Sequence, residues 1–278
     1  SYSVTGVQTC ALPICWQQAK QDPGPPHPEC RFERTGDTFR AGTDRWQVEG
    51  HVGGDSLLGA VSWNGIPLGR YTGMLQVGAG SGSRWLAITR LTEVAVEPGP
   101  AAMSILLTGV FEPAEGSADG IRFELLQRLT FLPGQDWFAC EALEVVNRGP
   151  EALAVKALFF RFHSAIGGSQ DGDLPVHEDQ APRLWGRIQG DAWGDAAAGV
   201  FWGAAVQTKA DRTVRFWVNP QGGQHPDARV DLSVQLDPGA RLTPPEPALV
   251  FSMAGRGGAA AWDALAADLV QRQSLPQR

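Results

Sequence analysis

The feature that most constrains the fold is a two-residue alternation of apolar and polar side chains between residues 122 and 131. The apolar members are Phe123, Leu125, Leu129 and Phe131, and the polar members are Arg122, Glu124, Arg128 and Thr130. A period of two places one row against a core and the other toward solvent. The segment therefore predicts a strand of an antiparallel sheet.

Turn signals and further strand patterns surround this segment. Pro133-Gly134 predicts a turn into a strand over Trp137 to Val146, and Asn147-Arg148-Gly149-Pro150 predicts the next turn, into Leu153 to His163. The spacing of Trp262, Leu265 and Leu269 gives one apolar helical stripe. Together with 34 glycines and 20 prolines, these patterns predict an all-β fold, a large two-sheet antiparallel β-sandwich with one short C-terminal helix. The remaining predicted strands are Arg31 to Thr35, Thr38 to Ala41, Arg45 to His51, Leu57 to Trp63, Trp85 to Val96, Ser104 to Phe111, Leu184 to Gln189, Val200 to Val206, Thr213 to Val218, Ala228 to Leu236 and Ala248 to Met253.

The first residues are best kept out of the fold argument. Val4 to Ile14 resembles a translated sequencing adapter, so we interpret residues 1–15 as a non-native segment. Residues 16–29 are rich in Gln, Pro and Asp and are predicted to be a linker, followed by a single domain over 30–278. The expected source is a metagenomic DNA fragment, so the true N-terminus and any native leader or upstream domain are not readable from the sequence.

Composition argues against several classes of protein. A formal net charge of -7 without a basic run argues against a nucleic-acid partner, and no run of about 18 apolar residues predicts a membrane span. The sequence has no glycine-rich phosphate loop, no Gly-x-Ser-x-Gly and no paired Cys/His zinc spacing. Cys30 and Cys140, the two cysteines beyond the first 15 residues, favour free thiols over a disulfide.

The order of the strand signals resembles one known superfamily. Phe123-Glu-Leu-Leu-Gln-Arg-Leu-Thr-Phe131, the Pro-Gly turn and the strand ending at Asn147 are similar to the galactose-mutarotase-like β-supersandwich proteins, as are Leu57 to Gly65 and Leu236-Asp-Pro-Gly239. The resemblance covers roughly residues 31–273 and implies a carbohydrate-active domain. The superfamily holds epimerases, lyases and non-catalytic domains of larger enzymes, so it leaves the activity open. The long strands most resemble exo-rhamnogalacturonan lyase-type polysaccharide-processing domains.

A polysaccharide lyase-like enzyme is the leading hypothesis. β-Elimination from a uronate needs a base, a cation on the carboxylate and an acid for the leaving oxygen. Arg161 and His163 share one face of a strand with Phe159, while Phe160 and Phe162 point the other way. We therefore assign His163 as base, Arg161 to the carboxylate and Tyr71, the one tyrosine outside the first segment, as acid. The structural alternative is that His163 caps its strand and Arg161 pairs with a carboxylate.

Two other functions remain open. An aldose mutarotase or epimerase would use His163 with Glu141 or Glu178 as its acid–base pair. The third hypothesis is a non-catalytic carbohydrate-binding domain of a larger, truncated enzyme. Convergence of Arg161, His163 and Tyr71 in one pocket would favour an enzyme over a binding domain.

Binding groups are predicted in two further segments, with a polysaccharide or oligosaccharide as partner. Trp185, Arg187, Asp191 and Trp193 combine aromatic faces with charged groups, as sugar platforms do, and His177 and Glu178 lie in a Gly- and Asp-rich loop. Trp202 is assigned to the core. No cofactor is predicted, apart from a Ca²⁺ alternative formed by Asp171, Asp173, Glu178 and Asp179. The substrate class favours secretion or a periplasmic location, and the oligomeric state is not readable.

Overall fold

The fold is known from a computed structural model of the chain. The structure describes residues 27–79, 82–113, 120–166, 174–175, 183–185, 188–195, 199–207, 214–218, 226–244 and 249–274. Its elements are β1 Arg31–Thr35, β2 Thr38–Gly42, β3 Trp46–His51, β4 Leu58–Trp63, β5 Ile66–Ala79, β6 Gly82–Pro98, β7 Met103–Pro113, β8 Phe123–Phe131, β9 Trp137–Asn147, β10 Leu153–Ser164, β11 Leu174–Pro175, β12 Arg183–Trp185, β13 Ile188–Asp195, β14 Val200–Gln207, β15 Val214–Val218, β16 Pro226–Leu236, β17 Arg241–Leu242, β18 Leu249–Arg256 and α1 Ala259–Ser274. The predicted all-β class with a C-terminal helix is confirmed.

Antiparallel pairing arranges the strands in two layers. In the first layer β1 to β5 pair in sequence order, β5 also pairs with β10, and β10 continues through β16 to β15. In the second layer β6 to β9 pair in order, and β9 continues through β18 and β14 to β13. The β5–β6 hairpin connects the layers. Phe162 of β10 and Trp202 of β14 meet between them with ring centroids 5.5 Å apart.

Two apolar clusters stabilise this arrangement. The main core lies between the layers and includes Tyr71, Phe162 and Trp202, all fully buried, so Trp202 has the structural role predicted for it. The second cluster lies beneath α1, where Trp262 and Leu269 pack on the outside of β14 and β18. The apolar stripe predicted for the C-terminal helix therefore packs on the outer face of the second layer.

The predicted β8–β9 hairpin is present, and Asn147 completes its far end. Phe131 pairs with Phe138 beside the turn, and Phe123 pairs with Asn147. The side-chain amide of Asn147 donates to the carbonyls of Glu151 and Leu236 at 2.7 and 3.0 Å. Its Oδ1 accepts from the Gly149 N–H at 2.9 Å. This fully buried side chain therefore ties the turn after β9 to the end of β16.

β5 was not predicted, because its sequence contains residues that usually interrupt strands. Pro67, Gly69 and Gly73 all lie within it. A Cβ at Gly69 would lie 1.9 Å from the carbonyl oxygen of His163, and one at Gly73 would lie 3.1 Å from the Phe111 ring. These glycines allow close approach of neighbouring groups, and that pattern looks like a loop in the sequence alone. The predicted strand over Leu184 to Gln189 is likewise replaced by β12 and the longer β13.

Candidate functional site

One face of β10 and its neighbours points away from the main core and carries two buried polar side chains, Thr72 and His163. Leu158, Phe160 and Phe162 of β10 point into the main core, so the alternating residues Phe159, Arg161 and His163 point away from it. We call this second surface the polar face. Its members on adjacent strands are Arg70, Thr72, Met74 and Gln76 of β5, Arg229 and Asp231 of β16 and Trp85 of β6.

His163 lies at the end of β10 and is only 9% exposed. Its Nε2 lies 2.9 Å from Oγ1 of Thr72, which is also buried. The contact runs diagonally across the pairing of β10 with β5, in which Arg161 is opposite Thr72 and His163 is opposite Arg70. Thr72 thus holds the His163 ring by one hydrogen bond, and an imidazole can act as a donor at one nitrogen and an acceptor at the other.

Arg161 is half-buried on the same face, one side-chain row from His163. In the register of β10 with β16 it is opposite Asp227, and in that of β10 with β5 it is opposite Thr72. The predicted sharing of one face by Phe159, Arg161 and His163 therefore agrees with the register. A guanidinium and an imidazole on one sheet face present donors to an oxygen-rich ligand.

An aromatic group lies farther along the polar face. Trp85 of β6 is 39% exposed, and its ring lies over Phe159 with a centroid distance of 5.0 Å. The guanidinium of Arg229 lies 5.4 Å from the Phe159 ring centroid. Arg229 is held in turn by Asp231, with Nη2 and Oδ1 2.7 Å apart. Phe159 is fully buried although it points away from the core.

The structure places Tyr71 on the opposite side of the sheet from His163. Tyr71 pairs with Phe162, and their rings stack in the core with centroids 5.0 Å apart. The Tyr71 hydroxyl donates to Oε1 of Gln127 at 2.7 Å. Burial raises the pKa of Tyr71 well above its usual range, and the nearby Cys140 adds to the effect. Arg161, His163 and Tyr71 therefore do not converge, and Tyr71 is not placed to act as the acid beside His163.

Glu141 does not meet His163 either. It lies on β9 on the same face as Trp137 and Ala139, which pack in the cluster beneath α1 in the second layer. Burial raises the pKa of Glu141, and Arg128, which donates to its Oε2 at 3.3 Å, opposes that shift. The predicted pairing of His163 with Glu141 therefore has no geometric basis.

Asp191 and Trp193 lie on the interior side of β13. They pair with Ala204 and Trp202, both of which point into the main core, and directly opposite residues share a face. Both side chains are almost fully buried. They belong to the interior of the second layer rather than to the polar face, which differs from their prediction as a surface platform.

Several predicted residues lie where side chains are not described. Trp185 ends β12, while Arg187, His177 and Glu178 lie outside the described residues, as do the carboxylates of the Ca²⁺ alternative, Asp171, Asp173 and Asp179. Across the described ranges, no three His, Cys, Asp or Glu side chains come together as a metal site. Cys30 and Cys140 are free thiols. No helix in the described part of the chain is long and apolar enough to cross a membrane.

The structure adds Thr72, Trp85 and Arg229 to the residues that the sequence suggested. Trp85 and Arg229 lie on predicted strands, but the alternation within one strand does not say which face meets which face of its neighbour. Thr72 lies on the unpredicted β5. The signal that could have found it is its position next to Tyr71, since adjacent residues of a strand point to opposite faces.

Comparison with known proteins gives remote structural likenesses. No family model matches the chain, and no curated protein matches it. A candidate aldose 1-epimerase of Klebsiella pneumoniae subsp. pneumoniae is 10% identical, with a TM-score of 0.47 over 89% of this chain and 88% of that one. A galactose mutarotase-like protein of Clostridium acetobutylicum is 8% identical, with a TM-score of 0.44 over 83% and 98%. An alpha-mannosidase of Enterococcus faecalis is 8% identical, with a TM-score of 0.47 over 83% of this chain and 31% of that one. Likeness at this level does not assign an activity to this chain.

Proposed function

We propose that this protein is a carbohydrate-active domain that binds a saccharide on the polar face and interconverts the anomers of an aldose there. The observation that carries the proposal is the nearly buried His163, held by Thr72 beside the half-buried Arg161 on a sheet face that points away from the core. The resemblance of residues 31–273 to mutarotase-like proteins supports the same class of ligand.

Anomer interconversion needs only proton transfers between two oxygens. As a base takes the proton of the anomeric hydroxyl, the bond between the anomeric carbon and the ring oxygen breaks, and an acid protonates the ring oxygen. Rotation about the first carbon–carbon bond and reclosure by the reverse transfers give the other anomer. We assign the first transfer to His163 and the hydroxyl contacts of the sugar to Arg161. Glu178, from the segment that the sequence singles out, is the acid in this proposal.

β-Elimination fits the polar face less well. That mechanism assigned the protonation of the leaving oxygen to Tyr71, whose hydroxyl is bound to Gln127 inside the core. We therefore prefer anomer interconversion to a polysaccharide lyase activity. A non-catalytic carbohydrate-binding domain is the second candidate, and the exposed Trp85 beside Arg229 favours it, since an aromatic face binds the apolar face of a sugar ring.

The test is the rate of anomer exchange of glucose and of galactose, followed by NMR exchange spectroscopy with the full chain. We expect the wild type to exceed the spontaneous rate, and His163→Ala to lower the catalysed rate about a hundredfold. His51→Ala is the matched control, because His51 is an exposed histidine at the end of β3 and should be replaceable without effect.

Each outcome separates the candidates. Sugar binding without any acceleration would replace the epimerase with the non-catalytic binding domain. Equal losses in His163→Ala and His51→Ala would remove His163 from the mechanism. The release of unsaturated uronate from a polysaccharide, followed by ultraviolet absorbance, would restore the lyase. Absence of binding to any saccharide would overturn the whole proposal.

A further inference from the structure

The most exposed large apolar side chain in the described residues is Trp85, and it lies on the polar face. We propose that Trp85 forms a second sugar-binding subsite, so that the ligand of this protein is an oligosaccharide or a glycan end rather than a free monosaccharide. The inference rests on the proposed function and specifies its substrate class.

One side of the Trp85 ring is exposed to solvent, and the ring packs against the buried Phe159. Phe159 lies against it, with centroids 5.0 Å apart and planes inclined by 58°. Phe159 itself is fully buried and is covered on another side by the Arg229 guanidinium. An aromatic ring that is backed by buried side chains loses little conformational entropy when a ligand stacks on it. The geometry thus provides a preformed flat platform.

Polar groups surround this platform in a way that suits a sugar better than a protein partner. Gln76 is opposite Trp85 in the β5–β6 register, and the Arg229–Asp231 ion pair lies on the other side of Phe159. Lys156 donates from Nζ to Oγ of Ser83, two residues before Trp85. A protein interface needs a contiguous apolar centre, whereas a sugar needs one aromatic surface within reach of several hydrogen-bonding groups.

The position of Trp85 sets the size of the ligand. Trp85 pairs with Gln76 of β5. Thr72, which contacts His163, lies on the same strand four residues before Gln76. Four residues of a strand span roughly 13 Å. One sugar ring is too short to touch both the His163 end and the Trp85 platform. A chain of linked sugars lying along β5 and β10 would touch both.

The experiment compares binding of short and long ligands to the full chain by calorimetry and by tryptophan fluorescence. The probes are glucose and galactose, and the tetrasaccharides maltotetraose, cellotetraose and galactotetraose. We expect at least one tetrasaccharide to bind about tenfold more tightly than its monosaccharide, with that gain lost in Trp85→Ala and largely kept in Trp85→Phe.

Val96→Ala is the matched control, because Val96 is another exposed apolar residue of the same strand and should not affect either ligand. Tetrasaccharides that bind no better than monosaccharides, or a gain that survives in Trp85→Ala, would overturn the subsite while leaving the proposed function intact. Absence of binding to every sugar would instead overturn the proposed function, and the subsite would fall with it.

Discussion

The Tyr71 hydroxyl donates a hydrogen bond to Oε1 of Gln127 at 2.7 Å, and this contact joins the two layers of the sandwich through the core. Gln127 is the polar residue that interrupts the inward-facing apolar row of β8, between Leu125 and Leu129. Both side chains are fully buried. Gln127, which breaks the alternation of β8, and Tyr71, which the sequence suggested as a catalytic acid, are therefore hydrogen-bond partners in the core.

We expect Tyr71→Phe to lower the free energy of unfolding by about 1–3 kcal/mol, because it leaves the buried Gln127 oxygen without its donor. Gln127→Leu should cost a similar amount by leaving the Tyr71 hydroxyl unmatched. The double variant should cost clearly less than the sum, since both polar groups are then removed together. Urea unfolding of the four proteins gives the coupling energy. Strictly additive losses would show that the two groups do not interact energetically.

The burial of Tyr71 and of the neighbouring Cys140 predicts weaker folding at high pH. Burial raises the pKa of Tyr71 and of Cys140 well above their ordinary values of 10.0 and 9.0. Above those values the unfolded chain loses both protons while the folded chain keeps them, so stability that is fully present below about pH 9 falls as the pH rises, until the raised folded pKa values are passed. Each group contributes up to about 1.4 kcal/mol per pH unit. Tyr71→Phe should reduce the slope of unfolding free energy above pH 10, and an unchanged slope would contradict the assignment.

The sequence predicted most of the fold because antiparallel strands with one buried face leave a period of two. That period, together with the turns at Pro133-Gly134 and Asn147 to Pro150, was enough to predict β8, β9 and β10. It failed for β5, where Gly69 and Gly73 stand at positions of close backbone and side-chain approach. A glycine required by a neighbouring strand looks the same in the sequence as a glycine in a turn.

The sequence predicted which residues of β10 share a face, but it did not predict which residues of the neighbouring strand lie beside them. Alternation alone placed Arg161 and His163 on one face of β10, as the structure has them. The position of Tyr71 depends on the pairing of β5 with β10, in which Tyr71 is opposite Phe162 rather than His163. A difference of one residue in register moves a side chain to the other face of the sheet. No pattern in the sequence of either strand specifies that register.

Asn147→Ala should be among the most destabilising single substitutions outside the apolar core. It removes three hydrogen bonds, two of them to the carbonyls of Glu151 and Leu236 and one from the Gly149 N–H. We expect a loss of about 2–4 kcal/mol in denaturant unfolding. Gln47→Ala is the control, because Gln47 is exposed on β3 and should stay within about 0.5 kcal/mol of the wild type. Comparable losses of stability in the two variants would show that the turn after β9 does not need the Asn147 hydrogen bonds.

Gly69→Ala should separate β5 from β10 at the level of His163. Gly69 has a φ of +143°, and an added Cβ would lie 1.9 Å from the His163 carbonyl oxygen. We expect a loss of several kcal/mol or failure to fold, since both the backbone and the neighbouring strand oppose the change. Gly59→Ala on β4 is the matched control, because its nearest neighbour would be the Glu49 oxygen at 3.9 Å. Thermal unfolding distinguishes them, and equal melting temperatures would contradict the close approach.

Thr72→Val tests whether the hydroxyl orients His163 rather than merely packing beside it. Valine keeps the shape of threonine but removes the Oγ1 that lies 2.9 Å from Nε2. For an aldose that the wild type accelerates, we expect kcat to fall about tenfold with little change in KM. The second readout is the acid limb of the pH–rate profile, which should change when the hydroxyl contact to the base is removed. Thr72→Ser should restore both readouts, and a Thr72→Val protein with the wild-type pH profile would show that the contact has no part in proton transfer.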